Sequence, residues 1–504
     1  MISIFDRTVH MCTTLVTIED AVRPLRQDES LLFLNHLLAV SRGNVNDPRL
    51  AAELAKLEGR PIAHVVHFLA MQLLLHSSIL GVPVLEWPKF VDLLNMLHDL
   101  PDPIQHDPNW KHANPAGAFE RMMQQQLPSQ NRNMLQKLGL YSGLFRDVGI
   151  ADGFDLRNQI ETALGMTVDE FMTLGFVCGA LRAASLGAGT FTPEYLTEAF
   201  VQGIKVCTPE LWRVFLDRIC YTPQQFREKQ TTFSAGTSAY PQFEFNLIRQ
   251  YPIIEIVPGR FLAIDPELIV ERVTYGLFYD LFDRDHCAFS EHFGASFERF
   301  AVVLLRSAIP AASVWSHADW KEANPQPTIK GKVSDHAYVG ESDTILLECK
   351  SLRPTVKLIS VADETSMSDL TNRIVDGLRQ LIEHNEAIKA GKWISAGLPQ
   401  RDATAFVIVM YGQLYNVNAG FWRDRISNRL RELGLESRPF VVLSISDLDS
   451  VVKLVELGHP LENVIVDLCD PLKSLHSFPE LKADSVSAYS RERAKALLDG
   501  VKSA

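Results

Sequence analysis

The sequence predicts a mixed α/β chain in which a large, mostly helical N-terminal portion precedes a mixed sheet flanked by helices. Three observations carry this. From residue 1 to about 230, apolar residues recur at helical spacing between Gly, Pro and Asn breaks. Residues 332–351 read as two strands around the turn Gly340-Glu341-Ser342-Asp343. Helical stripes at 290–307 and 368–389 bracket those strands, and a buried strand follows at 405–411.

A chain of 504 residues is long enough for two or more domains, and 46% apolar with 22% charged residues describes an ordinary soluble globular protein. The expected division is a helical domain at 1–230, a small α+β connecting segment at 231–285, an α/β domain at 286–470 and a tail with a short helix at 471–504. The part from about residue 283 onward is expected to fold without the helical portion. Seven cysteines without a Cys-x-x-Cys pair indicate neither a zinc ribbon nor a disulfide framework. The first residues lack a basic region followed by an apolar core, so no signal peptide is expected and a cytoplasmic location fits.

In the N-terminal portion, 29–40, 61–80, 88–100 and 116–127 read as apolar helices. No Asp, Glu, Lys or Arg stands between Arg60 and Glu86, but His64, His67, Gln72 and His76 interrupt the run and Gly81 and Pro83 break it. The continuous apolar piece is too short to span a bilayer, so a buried core helix is expected. His64 and His67 lie three apart without an acidic or Cys neighbour, and read as core or interface histidines rather than metal ligands. Thr167-Val168-Asp169-Glu170, Thr192-Pro193-Glu194, Thr208-Pro209-Glu210 and Thr222-Pro223-Gln224 are helix starts, with a capping Thr and then Pro or acidic residues in the first turn. Neither 192–206 nor 208–221 carries a row of Arg, Lys, Asn or Gln suited to a DNA-reading helix. Residues 231–240 read as a linker, 251–264 as strands around Pro258-Gly259, 266–280 as a helix, and 283–287 as the entry to the α/β domain.

Side chains alternate faces along a strand. In the second strand of 332–351, Ile345, Leu347 and Cys349 therefore share one face and Leu346, Glu348 and Lys350 the other. Charged groups are rarely buried without partners. Asp335 on the preceding strand is the obvious third member. The helix at 290–307 has the stripe Phe293, Phe297, Phe300, Ala301 and Leu304, with Ser290 as a candidate cap, and carries Glu298. The helix at 368–389 buries Leu370, Ile374, Leu378, Leu381 and Ile382, and sets Asp376, Gln380 and His384 four apart on another face, where they can point at one site.

Asp335, twelve intervening residues, then Glu348-Cys349-Lys350 resembles the core motif of the PD-(D/E)XK nucleases, the restriction-endonuclease-like superfamily, with Ser334 in place of the family's loosely kept proline. The family order of helix, three strands, helix, strand fits 290–412, about a quarter of the chain. The resemblance implies an α/β restriction-endonuclease-like core and Mg²⁺-dependent cleavage of phosphodiester bonds, with Mn²⁺ as a substitute. It implies Asp335, Glu348, the Cys349 carbonyl oxygen and Glu298 as the metal environment, Lys350 as the group that orients water or stabilises developing charge, and Gln380 as a positioner. The implied partner is nucleic acid, DNA first and RNA as an alternative. Related nucleases with extra helical domains often serve prokaryotic restriction or anti-phage defence, which suggests control through a regulatory protein or self-association at the helical domain. The other class kept open is a catalytically silent nucleic-acid or partner-binding protein.

A net charge of −12 is unusual for a protein permanently bound to nucleic acid, so positive charge must be confined to one groove or supplied by metal. No Gly-x-x-x-x-Gly-Lys-Ser/Thr, Gly-x-Ser-x-Gly or His-Glu-x-x-His occurs. Towards the C-terminus, residues 421–433 read as an amphipathic helix burying Ile426, Leu430 and Leu433. Its sharper alternative is a phosphate-contacting row of Arg423, Arg425, Arg429 and Arg431, with Trp422 as a stacking platform. A strand at 439–444, a helix at 447–457 and a charged helix at 487–498 complete the expectation.

Overall fold

The structure, a computed structural model, describes residues 14–57, 62–100, 133–148, 150–151, 153–184, 189–192, 208–234, 245–278, 286–323, 333–355, 358, 364–415, 417–436 and 438–503. The expected helix at 116–127, most of 192–206 and the entry segment up to residue 285 lie outside these. The N-terminal helices are α1 (Leu15–Val22), α2 (Gln27–Ser41), α3 (Pro48–Ala55), α4 (Ile62–His76) and α5 (Trp87–His98). There follow α6 (Met134–Arg146), a small hairpin of β1 (Ile150–Ala151) and β2 (Phe154–Asp155), α7 (Leu156–Leu164), α8 (Val168–Ala184) and α9 (Pro209–Ile219). Next come β3 (Cys220–Tyr221), α10 (Pro223–Ser234), β4 (Ile253–Val257), β5 (Arg260–Ala263) and α11 (Pro266–Val273). The second half holds α12 (His286–Arg306), β6 (Val314–Ser316), α13 (His317–Ala323), β7 (His336–Val339), β8 (Thr344–Lys350), α14 (Glu364–Lys389) and β9 (Ala405–Met410). It ends with α15 (Gly420–Glu432), β10 (Phe440–Ser444), α16 (Ile445–Glu456), α17 (Leu461–Cys469), α18 (Pro479–Ala483) and α19 (Ala488–Ser503).

The threonine helix starts behave as their chemistry requires. Thr167 Oγ1 accepts from the Glu170 N–H while Glu170 accepts back from the Thr167 N–H, which satisfies two donors that a helix start leaves open. Thr208 caps α9 and Thr222 caps α10 by the same i to i+3 contact. Helix α10 runs to Ser234, so 231–234 of the expected linker are helical, and 235–240 lie outside the described residues.

The larger sheet has the order β10-β9-β8-β7-β6, with β8, β9 and β10 parallel and β6, β7 and β8 antiparallel. The mixed α/β class is as expected, and α12, β6, β7, β8, α14 and β9 follow the expected order. β6 is the strand the sequence did not announce, because three residues are too few to show alternation. The two faces of the sheet bury different cores. Ile345, Leu347, Cys349, Val407 and Val409 face α12, α16 and α17. Leu346, Phe406, Ile408 and Met410 face α14 and α15. The turn before β8 closes with Gly340 N–H on Asp343 O at 2.9 Å, and Arg401 donates to Gly340 O and Glu341 O at 2.7 Å each.

The apolar cores do not follow the expected domain boundaries. Helices α1 to α5 close on one face of the three-stranded sheet β3-β4-β5, through Ile254, Ile256 and Leu262. The opposite face, through Ile253 and Ala263, joins the core under the large sheet. That second core also takes in Leu138 and Tyr141 of α6, Phe171 of α8, and Ala494 and Leu497 of α19. A Cβ on Gly139 would stand 1.9 Å from Ser490 O, so α6 and α19 cross in near backbone contact. Helix α6 and the C-terminal tail are thus walls of the α/β body rather than appendages.

Other details differ from expectation. Helix α12 begins at His286, which places Ser290 inside it rather than at its cap, and α14 begins at Glu364 rather than at 368. In α15 Ile426 and Leu430 are buried as expected, but Leu433, just past its end, is exposed. Trp422 is 2% exposed and offers no stacking platform. Arg425 is held by Glu364, Ser368 and Thr371 of α14, and Arg429 donates to Asn372 at 3.1 Å. These contacts tie α15 to α14, which is the amphipathic reading. His67, expected as a core or interface histidine, meets Asp265 at 2.7 Å, and Arg42 pairs with the same carboxylate. No described helix is long and apolar enough to cross a membrane, and α4 lies in the N-terminal core.

Candidate active site

Alternation along β8 places Glu348 and Lys350 on the face covered by α14. A Cβ on Gly377 would stand 2.9 Å from Ile408 Cδ1 and 3.3 Å from Lys350 Cε. The missing side chain lets α14 lie close over β8. Lys350 Nζ donates to Glu348 Oε1 at 2.6 Å, and Glu348 is buried while the lysine side chain is 23% exposed. One turn on from Gly377, Gln380 spans the same pair. An acceptor on one side and an ammonium on the other dictate its amide orientation: its nitrogen donates to Glu348 Oε1 at 2.5 Å, and its oxygen accepts from Lys350 Nζ at 3.3 Å.

Asp335 stands immediately before β7. The register pairs His336 with Leu347, so continuing it by one residue brings Asp335 opposite Glu348. Its Oδ2 accepts the Cys349 N–H at 2.7 Å. The N–H and C=O of one strand residue point the same way, so the Cys349 carbonyl faces the Asp335 side. Burial first, and then the charges of Glu348 and Glu298, hold the Asp335 carboxyl well above the usual carboxylate range. The Cys349 thiol points into the opposite core, where burial pushes it up, and it is no nucleophile.

Glu298 comes from α12. Its backbone carbonyl accepts from His336 Nε2 at 2.9 Å, which ties helix to strand beside Asp335. Of the three residues expected to converge from α14, only Gln380 reaches the site. Asp376 is exposed and pairs with Arg379. His384 is buried between Trp320 and Trp393, and its Nδ1 accepts the Ser334 N–H at 3.0 Å. It holds the residue before Asp335 instead of facing the site.

Sequence reasoning missed His317. Among the described residues, Glu298, His317 and Asp335 each bring one ligand atom within 4.8 Å of the others. Glu348 is not one of the three; its Oε1 accepts from Lys350 and Gln380. Pairing of Ser316 with His336 would have found His317, because one further step places it opposite Asp335. The donor set of carboxylates, a peptide carbonyl and one imidazole fits a divalent cation that prefers oxygen and accepts nitrogen. Comparison with known protein families, curated proteins and solved structures gave no match for this chain, so its site is read from its own residues.

Proposed function

We propose that the chain is a metal-dependent nuclease of the PD-(D/E)XK kind, hydrolysing phosphodiester bonds, with DNA as the first substrate to test. The observation that carries the reading is the convergence of Asp335, Glu348 and Lys350 from two adjacent strands under Gln380. A buried carboxylate beside a half-buried ammonium is an expensive arrangement to keep for stability alone.

Asp335, Glu298 and Glu348, with the Cys349 carbonyl, would hold Mg²⁺ or Mn²⁺. Such a cation neutralises phosphate charge and makes bound water more acidic. The chain's own residues do the rest. Lys350 presents an ammonium donor where an attacking water or a developing phosphorane-like charge needs one. Gln380 and Glu348 fix the direction of that ammonium. Asp335 is held in place by the Cys349 N–H. The helical N-terminal portion is the part proposed to receive a regulator or a second copy.

The test is purified full-length protein on circular and linear DNA and on RNA, with Mg²⁺, Mn²⁺ or EDTA. Cleavage of DNA that needs metal and is lost separately in Asp335→Ala, Glu348→Ala and Lys350→Ala is the expected result. Cleavage of RNA alone would move the substrate class. Binding without cleavage would make the protein a silent member of this fold. Parent-like cleavage by Lys350→Ala would remove the assigned site.

A further inference from the structure

We propose that His317 is a ligand of the cation and biases the site towards Mn²⁺ over Mg²⁺. This rests on the metal-dependent reading above and adds a residue that neither composition nor motif announces. The motivation is position. β6 pairs with β7 so that Ser316 faces His336, and β7 pairs with β8 so that His336 faces Leu347. Continuing both registers by one residue, just past the ends of β6 and β7, sets His317 at the start of α13 and Asp335 before β7 in line with Glu348 of β8. The side chains agree, since a ring nitrogen of His317 lies within 4.8 Å of a carboxylate oxygen of both Glu298 and Asp335. Helix α12 brings Glu298 to the same point, with its backbone tied down by His336.

Ligand chemistry sets the direction of the bias. Mg²⁺ demands oxygen ligands and keeps its waters, whereas imidazole nitrogen suits first-row transition ions. Replacing one oxygen or water by nitrogen therefore gains more for Mn²⁺ than for Mg²⁺. An all-oxygen version of the same site would discriminate less.

The experiment uses full-length protein and Mn²⁺ as the probe. Free Mn²⁺ is counted by its electron paramagnetic resonance during a titration, Mg²⁺ is added as competitor, and electron spin-echo modulation reads ¹⁴N coupling to bound Mn²⁺. We expect one ¹⁴N coupling of directly bound imidazole in the parent. It should persist in His336→Gln and be lost in His317→Gln. Mn²⁺ affinity should fall about tenfold in His317→Gln, while Mg²⁺ affinity changes less than threefold. His317→Asp should shift the preference towards Mg²⁺.

Bound Mn²⁺ without nitrogen coupling in the parent overturns the inference, and needs no variant to fold. Coupling that survives in a folded His317→Gln overturns it equally. The two readings fail separately. Nitrogen-coupled Mn²⁺ on a protein that cleaves nothing would leave this inference standing and remove the nuclease. Metal-dependent cleavage without nitrogen coupling would do the reverse.

Discussion

His336 donates from Nε2 to the backbone carbonyl of Glu298 across 2.9 Å. A carbonyl oxygen only accepts, so Nε2 carries the proton. Burial holds the ring down at about 4, so it is neutral at physiological pH. This contact fixes where α12 stands against β7, and with it the carboxylate of Glu298.

His336→Phe is expected to keep the fold, because the ring is 1% exposed and Phe has similar volume. It should release the Glu298 carbonyl and lower cleavage about tenfold at saturating metal, since misplacement by an ångström can cost a hundredfold. Steady-state cleavage by parent and variant, with thermal melts as control, checks it. Parent-like turnover in a folded variant would mean that the contact does not position Glu298.

Gly377 makes a second prediction about placement. In Gly377→Ala the new methyl presses on Ile408 Cδ1 and Lys350 Cε, at 2.9 and 3.3 Å. Both are ends of side chains that can yield, and alanine gains about 1 kcal/mol of helix propensity. The melting temperature should therefore move by only a few degrees. Activity should fall by more than stability does, because one displaced atom belongs to the ammonium's own stem. A variant that loses stability and keeps its rate would show that Ile408, not Lys350, gives way.

The packing of α6 sets a third. Gln136 donates to Asp449 Oδ2 at 2.9 Å, and Asp449 also accepts from Ser490 Oγ at 2.7 Å, so α6, α16 and α19 meet at one buried carboxylate. Tyr141 of α6 packs edge-on against Tyr411, just after β9. A fragment starting at residue 283 would expose these faces. It is expected to be insoluble or to melt without cooperativity, whereas a fragment starting at residue 133 keeps α6. Soluble expression and a sharp melt of the 283–504 fragment would show that the sheet holds without α6.

These cases show what the sequence made legible. Residues 344–350 read as a buried strand because both faces of β8 are covered, so its two charges stood out. The stripes of α12 and α14 were long enough to declare their period, though both helices begin four residues before the stripes do. What stayed hidden was set by distant partners. His67 finds its carboxylate 198 residues away. The contact of Gly139 with Ser490 joins opposite ends of the chain. His317 depended on β6, whose three residues cannot show a period.

His384 gives a pH prediction. It is 1% exposed, and burial lowers it to about 4. In the unfolded chain it titrates near 6.5. Between those values the unfolded state binds the extra proton, so stability falls as pH drops. From pH 7 to pH 5 this one group should cost about 2 kcal/mol. His384→Gln keeps an acceptor for the Ser334 N–H and removes the titration. It should melt below the parent at pH 7 and close that gap towards pH 5. A gap that is constant with pH would mean that the ring is not held neutral by the fold.

Asp335 has the opposite sign, and its replacement tests the site without metal. Its folded pKa lies above the unfolded value because of burial and of two nearby carboxylates. Its contribution is therefore present below the unfolded pKa and is lost as pH rises through the folded one. Near neutral pH the empty site carries that cost, and Lys350 is already engaged by Glu348. Asp335→Asn removes the charge, keeps the volume and keeps an oxygen to accept the Cys349 N–H. In EDTA at pH 7 the variant should melt higher than the parent, and the difference should shrink as pH falls towards 4. A cation that binds only the folded parent adds RT ln(1 + [L]/Kd), about 2.7 kcal/mol at a hundredfold excess over Kd. The order of melting temperatures should therefore reverse with Mn²⁺ or Mg²⁺, and the variant should cleave nothing. Such an exchange of activity for stability is common where like charges are held together for function. Melts of both proteins across pH, with EDTA and with metal, decide it. A variant that melts lower in EDTA and responds fully to metal would place Asp335 outside the cation site.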